Sequence, residues 1–223
     1  MQVQIYTIQT IEEALKIEHI GVHNIGLTPA SIGLPGEISL EKAKTIFENI
    51  KKSRRVALSV SNNIVEIVEM VMFVNPDILH LCGEPGKLDI SGIISLRKRL
   101  KELDRELPIM QAISVDNYSA IELSKEYEKV SNYLILDTST KNVQGIGASG
   151  EVHDWDISKK IVEHVNIPVI LAGGLSPDNV QNAISKVQPW GVDSLTHTNM
   201  KLKNGKFTKD IGKVKEFYIN ASN

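Results

Sequence analysis

The sequence has few of the features that mark secreted, membrane or nucleic-acid-binding proteins. Among its 223 residues the only cysteine is Cys82, so an internal disulfide is excluded, which fits a reducing cytoplasm. No apolar run approaches the roughly 20 residues of a membrane span, and no basic-then-apolar leader opens the chain. A net charge of −2 with no basic face argues against nucleic acid as a partner. The six histidines are scattered and paired Cys motifs are missing, so the sequence predicts no metal.

What the sequence does have is a regular alternation of short β-branched runs and helical patterns. The runs lie at 3–8, 24–28, 55–60, 77–82, 108–113, 133–137, 168–173 and 191–195. Eight strand–helix units in about 220 residues are typical of an α/β (β/α)8 TIM barrel, and residues 1–223 are interpreted as one such domain. An open doubly wound sheet is the alternative, but it would usually carry an early Gly-rich nucleotide loop, and none follows the first run.

Polar residues in front of the helical patterns predict where several helices begin. Ser39 stands at an N-cap position before the helix of residues 40–50, and Asn62 before the helix that follows the third run. In `LAGGLSPDNV`, Ser176 is the expected N-cap and Pro177 the expected first helical residue. Asp154 is expected near the start of the sixth helix.

The ends of the last two predicted strands carry the pattern of a phosphate site. In a TIM barrel the site lies at the carboxyl ends of the strands, and loops seven and eight commonly hold phosphate. Gly173 and Gly174 end the seventh run and let backbone N–H groups approach an anion. After the eighth run, Thr196 and His197 can donate hydrogen bonds. The alternatives are a tight turn at the glycines and a solvated loop histidine at position 197.

Several motifs resemble phosphoribosylanthranilate isomerases. They are `LILDTS`, a Gly-rich loop ending `GASGEVHDW`, `IPVILAGGLSPDNVQNAI`, `WGVDSL` and a late `GKFTKD`, with the closest match over residues 133–193. The family's corresponding patterns include L-L-D-T, G-G-T-G-x-x-F-D-W and L-A-G-G-L-x-P-E-N-V. The resemblance implies a single (β/α)8 barrel that performs an Amadori rearrangement of an aminoaldose phosphate in tryptophan biosynthesis, by acid–base chemistry without a cofactor.

The resemblance also assigns roles to particular residues. Asp137, the Asp of the L-L-D-T motif, corresponds to the general acid that protonates the furanose ring oxygen. Its place at the end of an apolar strand fits a raised pKa, although it could instead only cap the loop that follows. Gly147, Ser149 and Gly150 correspond to the family's G-G-T-G loop beside the substrate.

Two family residues are replaced in this chain. The family's base is the Cys of an opening K-I-C-G motif, and here Tyr6 stands at that position. The family's Arg after strand two, which holds the anthranilate carboxylate, has no counterpart in the Arg- and Lys-free segment 30–39. His80 and Cys82 share one face of the fourth strand. His80 is a candidate replacement base, or a core histidine, and Cys82 a less favoured candidate or a small buried hydrophobe.

These patterns leave three functions open. The chain is a divergent phosphoribosylanthranilate isomerase, a paralogue acting on another phosphorylated sugar, or a non-catalytic barrel that binds a phosphorylated ligand. Its partner is expected to be a phosphorylated small molecule in the cytoplasm, and a homodimer is left open. The catalytic candidates are Asp137, His80 and Tyr6.

Overall fold

The computed structural model describes residues 1–84, 86–138, 146, 150, 152–203 and 205–223. Eight parallel strands pair in chain order, and β1 pairs with β8 to close the barrel. The predicted (β/α)8 barrel is therefore confirmed, and the doubly wound alternative is wrong because the sheet has no free edge. The register that closes the barrel places Gln4 beside Asp193 and Ile5 beside Ser194.

Strands and helices alternate throughout the barrel. The strands are β1 Gln2–Ile5, β2 Asn24–Leu27, β3 Arg54–Ser59, β4 Ile78–Leu81, β5 Ile109–Ser114, β6 Tyr133–Asp137, β7 Val169–Leu171 and β8 Gly191–Ser194. The helices are α1 Ile11–Ile20, α2 Leu40–Asn49, α3 Ile64–Val74, α4 Ile90–Glu102, α5 Ser119–Tyr127, α6 Trp155–His164, α7 Val180–Val187 and α8 Ile211–Ser222. A 3-10 turn, Thr196–Thr198, follows β8 and leads into a two-stranded antiparallel sheet, β9 Asn199–Lys201 and β10 Phe207–Lys209.

The buried apolar residues form two clusters because each strand sends alternate side chains inward and outward. The larger cluster lies between the strands and the helices, with Phe47 and Phe217 among its fully buried members. The smaller cluster fills the barrel interior with Tyr6, Val56, Ile78, Cys82, Met110, Ala112, Ile135, Ile146, Ile170 and Ala172. The interior is therefore packed, which leaves the carboxyl ends of the strands as the place for a ligand. Within the part of the chain that is described, no helix has both the length and the apolarity to cross a membrane.

Two of the predicted N-caps are confirmed and two are wrong. Ser39 accepts from the Lys42 N–H, and Asp154 caps α6 through the Asp156 N–H. The cap of α3 is Asn63 instead of Asn62, because Asn63 directly precedes the helix and its side chain reaches the Val65 N–H at 2.9 Å.

The helix α7 begins at Val180, three residues later than the predicted start at Pro177. Residues 176–179 form a separate turn, in which the N–H groups of Asn179 and Val180 donate to the Ser176 carbonyl. The Asn179 side chain accepts from the Ser176 N–H at 2.8 Å and donates to the Gly174 carbonyl at 3.0 Å. These bonds satisfy the backbone outside the helix, which is why Ser176 does not act as the cap.

The β9–β10 sheet brings a lysine from late in the chain under the end of β8. Glu13 on α1 accepts from the backbone N–H of Lys209 at 2.9 Å and from the Thr208 hydroxyl, which fixes β10 to the barrel. The Lys209 ammonium is buried and donates to the Leu195 carbonyl at 3.0 Å and to the Thr198 hydroxyl at 3.3 Å. The 3-10 turn after β8 is therefore held from below by a buried lysine, whose pKa burial lowers to about 7.

Candidate active site

Two cavities open at the carboxyl ends of the strands and meet at three residues. The apolar cavity lies beside β1 to β4, and the polar cavity beside β7 and β8. Asp137, Asp193 and Leu195 line both. A ligand long enough to occupy both cavities would therefore pass over two carboxyl groups.

The apolar cavity contains a hydrogen-bonded pair formed by Tyr6 and His80. The Tyr6 hydroxyl lies 2.6 Å from His80 Nδ1, and both side chains are buried. Burial raises the pKa of Tyr6 well above its usual value and lowers that of His80 to about 3. At neutral pH the phenol is therefore protonated and donates to a neutral imidazole. His80 Nε2 is also buried, and no described residue offers it a partner.

Tyr6 fits this position only because its neighbour on β2 is Gly26. A Cβ atom on Gly26 would lie 2.4 Å from Cδ1 and from Cε1 of the Tyr6 ring, far inside van der Waals contact. The ring is rigid and its hydroxyl is held by His80, so it cannot yield without losing that contact.

Gly26→Ala is therefore expected to destabilise the protein by about 2 kcal/mol, the typical cost of overpacking a core. Urea unfolding measures the change. In a Tyr6→Ala background the same substitution should cost much less, because the ring it strikes is gone. An equal cost in both backgrounds would show that the clash with Tyr6 is not the cause.

Asp137 ends β6 at the junction of the cavities. The backbone N–H of Thr138 donates to its Oδ1 at 2.7 Å, which favours the ionised form, but burial is the larger effect and raises the pKa of the carboxyl to about 7. A carboxylic acid in this range holds a proton for part of the time at neutral pH and can release it readily.

Cys82 lies in the same cavity as His80, as the alternation of the strand predicts. Its Sγ is 2.6 Å from the Ile146 carbonyl oxygen. Burial, with the nearby charge of Asp137, raises the pKa of the thiol to about 12. The thiol is therefore protonated at neutral pH and has little nucleophilic or basic character.

The polar cavity brings together all four residues that the sequence assigned to a phosphate site. Gly173, Gly174, Thr196 and His197 line it, together with Gly150. Gly173 and Gly174 have φ of 75° and 63°, and a Cβ on Gly173 would lie 2.7 Å from His153 Nδ1. Gly147 and Ser149, the other two predicted loop residues, lie outside the described residues.

Hydrogen bonds at this end orient the backbone. The side-chain amide of Asn179 donates a hydrogen bond to the carbonyl of Gly174. Because a trans peptide points its N–H opposite to its C=O, the N–H of Leu175 points away from Asn179, and Leu175 lines the cavity. His197 Nε2 lies 3.1 Å from the Gly150 carbonyl oxygen, which joins the turn after β8 to the loop before α6.

The sequence analysis missed Asp193. Its side chain is buried on β8, burial and the charge of Asp137 raise its pKa to about 8, and the Gln4 side chain favours the ionised form of the carboxyl. The sequence held a signal, because Asp193 is a lone carboxylate inside an otherwise uncharged buried strand. No grouping of three or more His, Cys, Asp or Glu side chains suited to a metal ion occurs among the residues that can be described.

Comparison with known proteins identifies the family. A family model described as N-(5'-phosphoribosyl)anthranilate (PRA) isomerase matches residues 3–218. The chain belongs to this family. It is 30% identical over 214 residues to the N-(5'-phosphoribosyl)anthranilate isomerase of Methanocaldococcus jannaschii, covering 93% of this chain and 91% of the relative. The predicted family, and an isomerase of this type as the enzyme class, are therefore confirmed.

Solved PRA isomerases share the fold. Monomers of the dimeric enzyme from Thermotoga maritima superpose with a TM-score of 0.78 at 25% identity, over 100% of this chain and 98% of that one. A PRA isomerase in complex with reduced 1-(o-carboxyphenylamino)-1-deoxyribulose 5-phosphate also gives 0.78, at 24% identity and the same coverage.

Proposed function

We propose that this chain catalyses the Amadori rearrangement of N-(5'-phosphoribosyl)anthranilate, in which the aminoaldose becomes an aminoketose. The observation that carries the proposal is the junction of an apolar and a polar cavity at Asp137. A phosphoribosyl aryl amine has the same order of groups: an aromatic ring at one end, a dianion at the other, and the reacting sugar carbons between them.

The phosphate is proposed to bind in the polar cavity. Backbone N–H groups around Gly173 and Gly174, and the side chains of Thr196 and His197, supply the donors that an oxyanion needs. The positive φ of both glycines supports this assignment, since such backbone presents its amides without a Cβ in the way. Asp137 is proposed as the general acid that protonates the ring oxygen so that the furanose opens.

The aromatic ring is proposed to occupy the apolar cavity, where Leu34, Leu58 and Val60 face the Tyr6–His80 pair. Its described lining contains no Lys or Arg. In the loop after β2, the N–H groups of Ile32, Gly33 and Leu34 donate to the carboxylate of Glu37 at 2.9–3.0 Å. This carboxylate, in the segment where the family's Arg is expected, favours a second candidate: the same rearrangement of a phosphosugar whose amine substituent lacks a carboxyl group.

The decisive experiment follows the fluorescence of freshly made phosphoribosylanthranilate after the purified protein is added. A decay faster than in the absence of protein is expected. Reduced 1-(o-carboxyphenylamino)-1-deoxyribulose 5-phosphate should inhibit it competitively. If no decay exceeds that background, while phosphoribosylamines of uncarboxylated aromatic amines are rearranged, the second candidate is correct. No turnover of either would overturn the proposed reaction.

Two further proposals concern the setting of the enzyme. A homodimer is supported by the dimeric state of the T. maritima relative. A cytoplasmic location is supported by the single cysteine of the chain, which is free and buried.

A further inference from the structure

The reaction needs a proton acceptor at the second carbon of the sugar, and the side chain that stands where the family has its thiol is poorly suited to the task. Tyr6 is protonated, and its hydroxyl group donates a hydrogen bond to His80. His80 is neutral, and burial disfavours the imidazolium that it would become on accepting a proton. Cys82 donates to a backbone carbonyl and holds its proton tightly. None of the three is an effective base as the cavity is built.

Asp193 has the position and the free atom that a base requires. It lines both cavities beside Asp137, at the point where the sugar of the proposed substrate would lie. It is 6% exposed, and its Oδ1 is buried without a hydrogen-bond partner among the described residues. Buried polar atoms are rarely left unpaired in native structures, so an unpaired oxygen on a residue that lines both cavities indicates a ligand.

The surroundings of Asp193 fix its orientation. It lies opposite Gln4 in the β1–β8 register, and the Gln4 side chain favours the ionised form of the carboxyl. Lys209 attracts its negative charge from below. Since β8 is the neighbour of β1, the carboxyl is displaced by one strand from the family's catalytic thiol position at Tyr6.

We infer that Asp193 is the general base of this enzyme and removes the proton from the second sugar carbon, C2′, while Asp137 serves as the acid. The inference rests on the proposed function. It assigns the chemistry to two carboxyl groups that share one proton in the active form, so the missing thiol needs no replacement at position 6.

The proposed proton transfers balance over one catalytic cycle. Asp137 gives its proton to the ring oxygen, the C1′–O bond breaks toward oxygen, and the nitrogen lone pair forms an iminium ion. Asp193 carboxylate takes the C2′ proton, the C–H pair forms a C1′=C2′ bond, and the C=N pair returns to nitrogen. The enol hydroxyl then passes its proton to Asp137 while Asp193 delivers its proton to C1′. The aminoketose forms and both carboxyl groups return to their starting states.

A shared proton predicts a bell-shaped pH profile for kcat/KM. The rate falls at low pH when both carboxyls are protonated and at high pH when both are ionised, with apparent values that belong to the pair. The groups that act electrostatically on Asp193 or are affected by it are Tyr6, Cys82, Asp137 and Lys209, with the Gln4 amide as a neutral donor. Because the pKa of Asp193 is about 8 and that of Asp137 about 7, the active form is one of two arrangements of the shared proton, and neither limb belongs to one residue alone.

The test is Asp193→Asn in the full chain, with Asp104→Asn, an exposed substitution at a left-handed position that Asn also tolerates, as the matched control. Asp193→Asn should lower kcat at least 100-fold and remove the acid limb from the residual activity. It should still bind reduced 1-(o-carboxyphenylamino)-1-deoxyribulose 5-phosphate within about 10-fold. In D₂O it should incorporate no more deuterium into recovered substrate than the protein-free control does.

A second variant keeps the test decisive if Asp193→Asn folds poorly. Gln4→Met removes an amide that favours the ionised carboxyl, so the pKa of Asp193, and with it the alkaline limb, should move to higher pH. An unchanged limb in Gln4→Met, or near-wild-type turnover by Asp193→Asn alongside a collapse in Tyr6→Phe, would overturn the assignment. Failure of the proposed reaction itself is distinct, because then the unmodified protein shows no turnover.

Discussion

Asp137→Asn is expected to lower kcat about 10³-fold, because the amide cannot supply the proton that opens the sugar ring. The substitution keeps the shape of the side chain and one oxygen that accepts from the Thr138 N–H. Binding of the reduced aminoketose phosphate should therefore change by less than about 10-fold, since a group that acts mainly in the transition state contributes little to ground-state affinity. Fluorescence decay gives kcat, and titration calorimetry gives the affinity.

The high-pH limb of the wild-type profile provides the companion measurement. Burial raises the pKa of Asp137 to about 7, so the acid form is lost as the pH rises through the neutral range. Asp137→Asn should show no such limb in its residual activity. Asp104→Asn should retain both the rate and the profile of the wild type. Wild-type turnover by Asp137→Asn would remove Asp137 from the mechanism.

The second large effect concerns stability, and it depends on pH. The pKa of Asp193 is about 8 in the folded protein and near ~3.9 in the unfolded chain. Between these values the folded state binds a proton that the unfolded state has released, so wild-type stability falls as the pH rises. Asp193→Asn removes this loss. At pH 9 the variant should be more stable than the wild type by on the order of 3 kcal/mol, whereas at pH 4 the two should be nearly equal.

Urea unfolding at the two pH values measures the difference. Asp104→Asn should have the same small effect at both, because its side chain is exposed. A constant offset between Asp193→Asn and the wild type at pH 4 and pH 9 would mean that the carboxyl ionises as easily in the fold as in the unfolded chain. Asp193→Asn should therefore lower the catalytic rate and raise the free energy of unfolding above neutral pH, a trade-off between activity and stability.

The barrel was predictable because its signal is repeated. Eight apolar runs with helical patterns between them leave few other architectures, and all eight runs became strands. The helix starts were less predictable. The choice between Asn62 and Asn63 depends on a shift of one residue, and the start of α7 depends on the bonds that Asn179 makes to Ser176 and Gly174.

The site was predictable where one residue type implies one kind of chemistry. The glycines after β7 and the carboxylate that ends β6 line one cavity, as their positions in the sequence suggested, and their roles stay predictions. The Tyr6–His80 hydrogen bond could not be predicted from the sequence, since it joins residues 74 positions apart. It also requires that residue 26 carry no side chain. The raised pKa of Asp193 could not be predicted from the sequence, because it depends on burial and on the nearby charge of Asp137.

The ring of Tyr6 over Gly26 ties two residues on neighbouring strands together. Any side chain larger than hydrogen at position 26 would occupy the space of the ring. A bulkier residue there therefore requires a smaller one at position 6, so the two positions can be changed only as a pair.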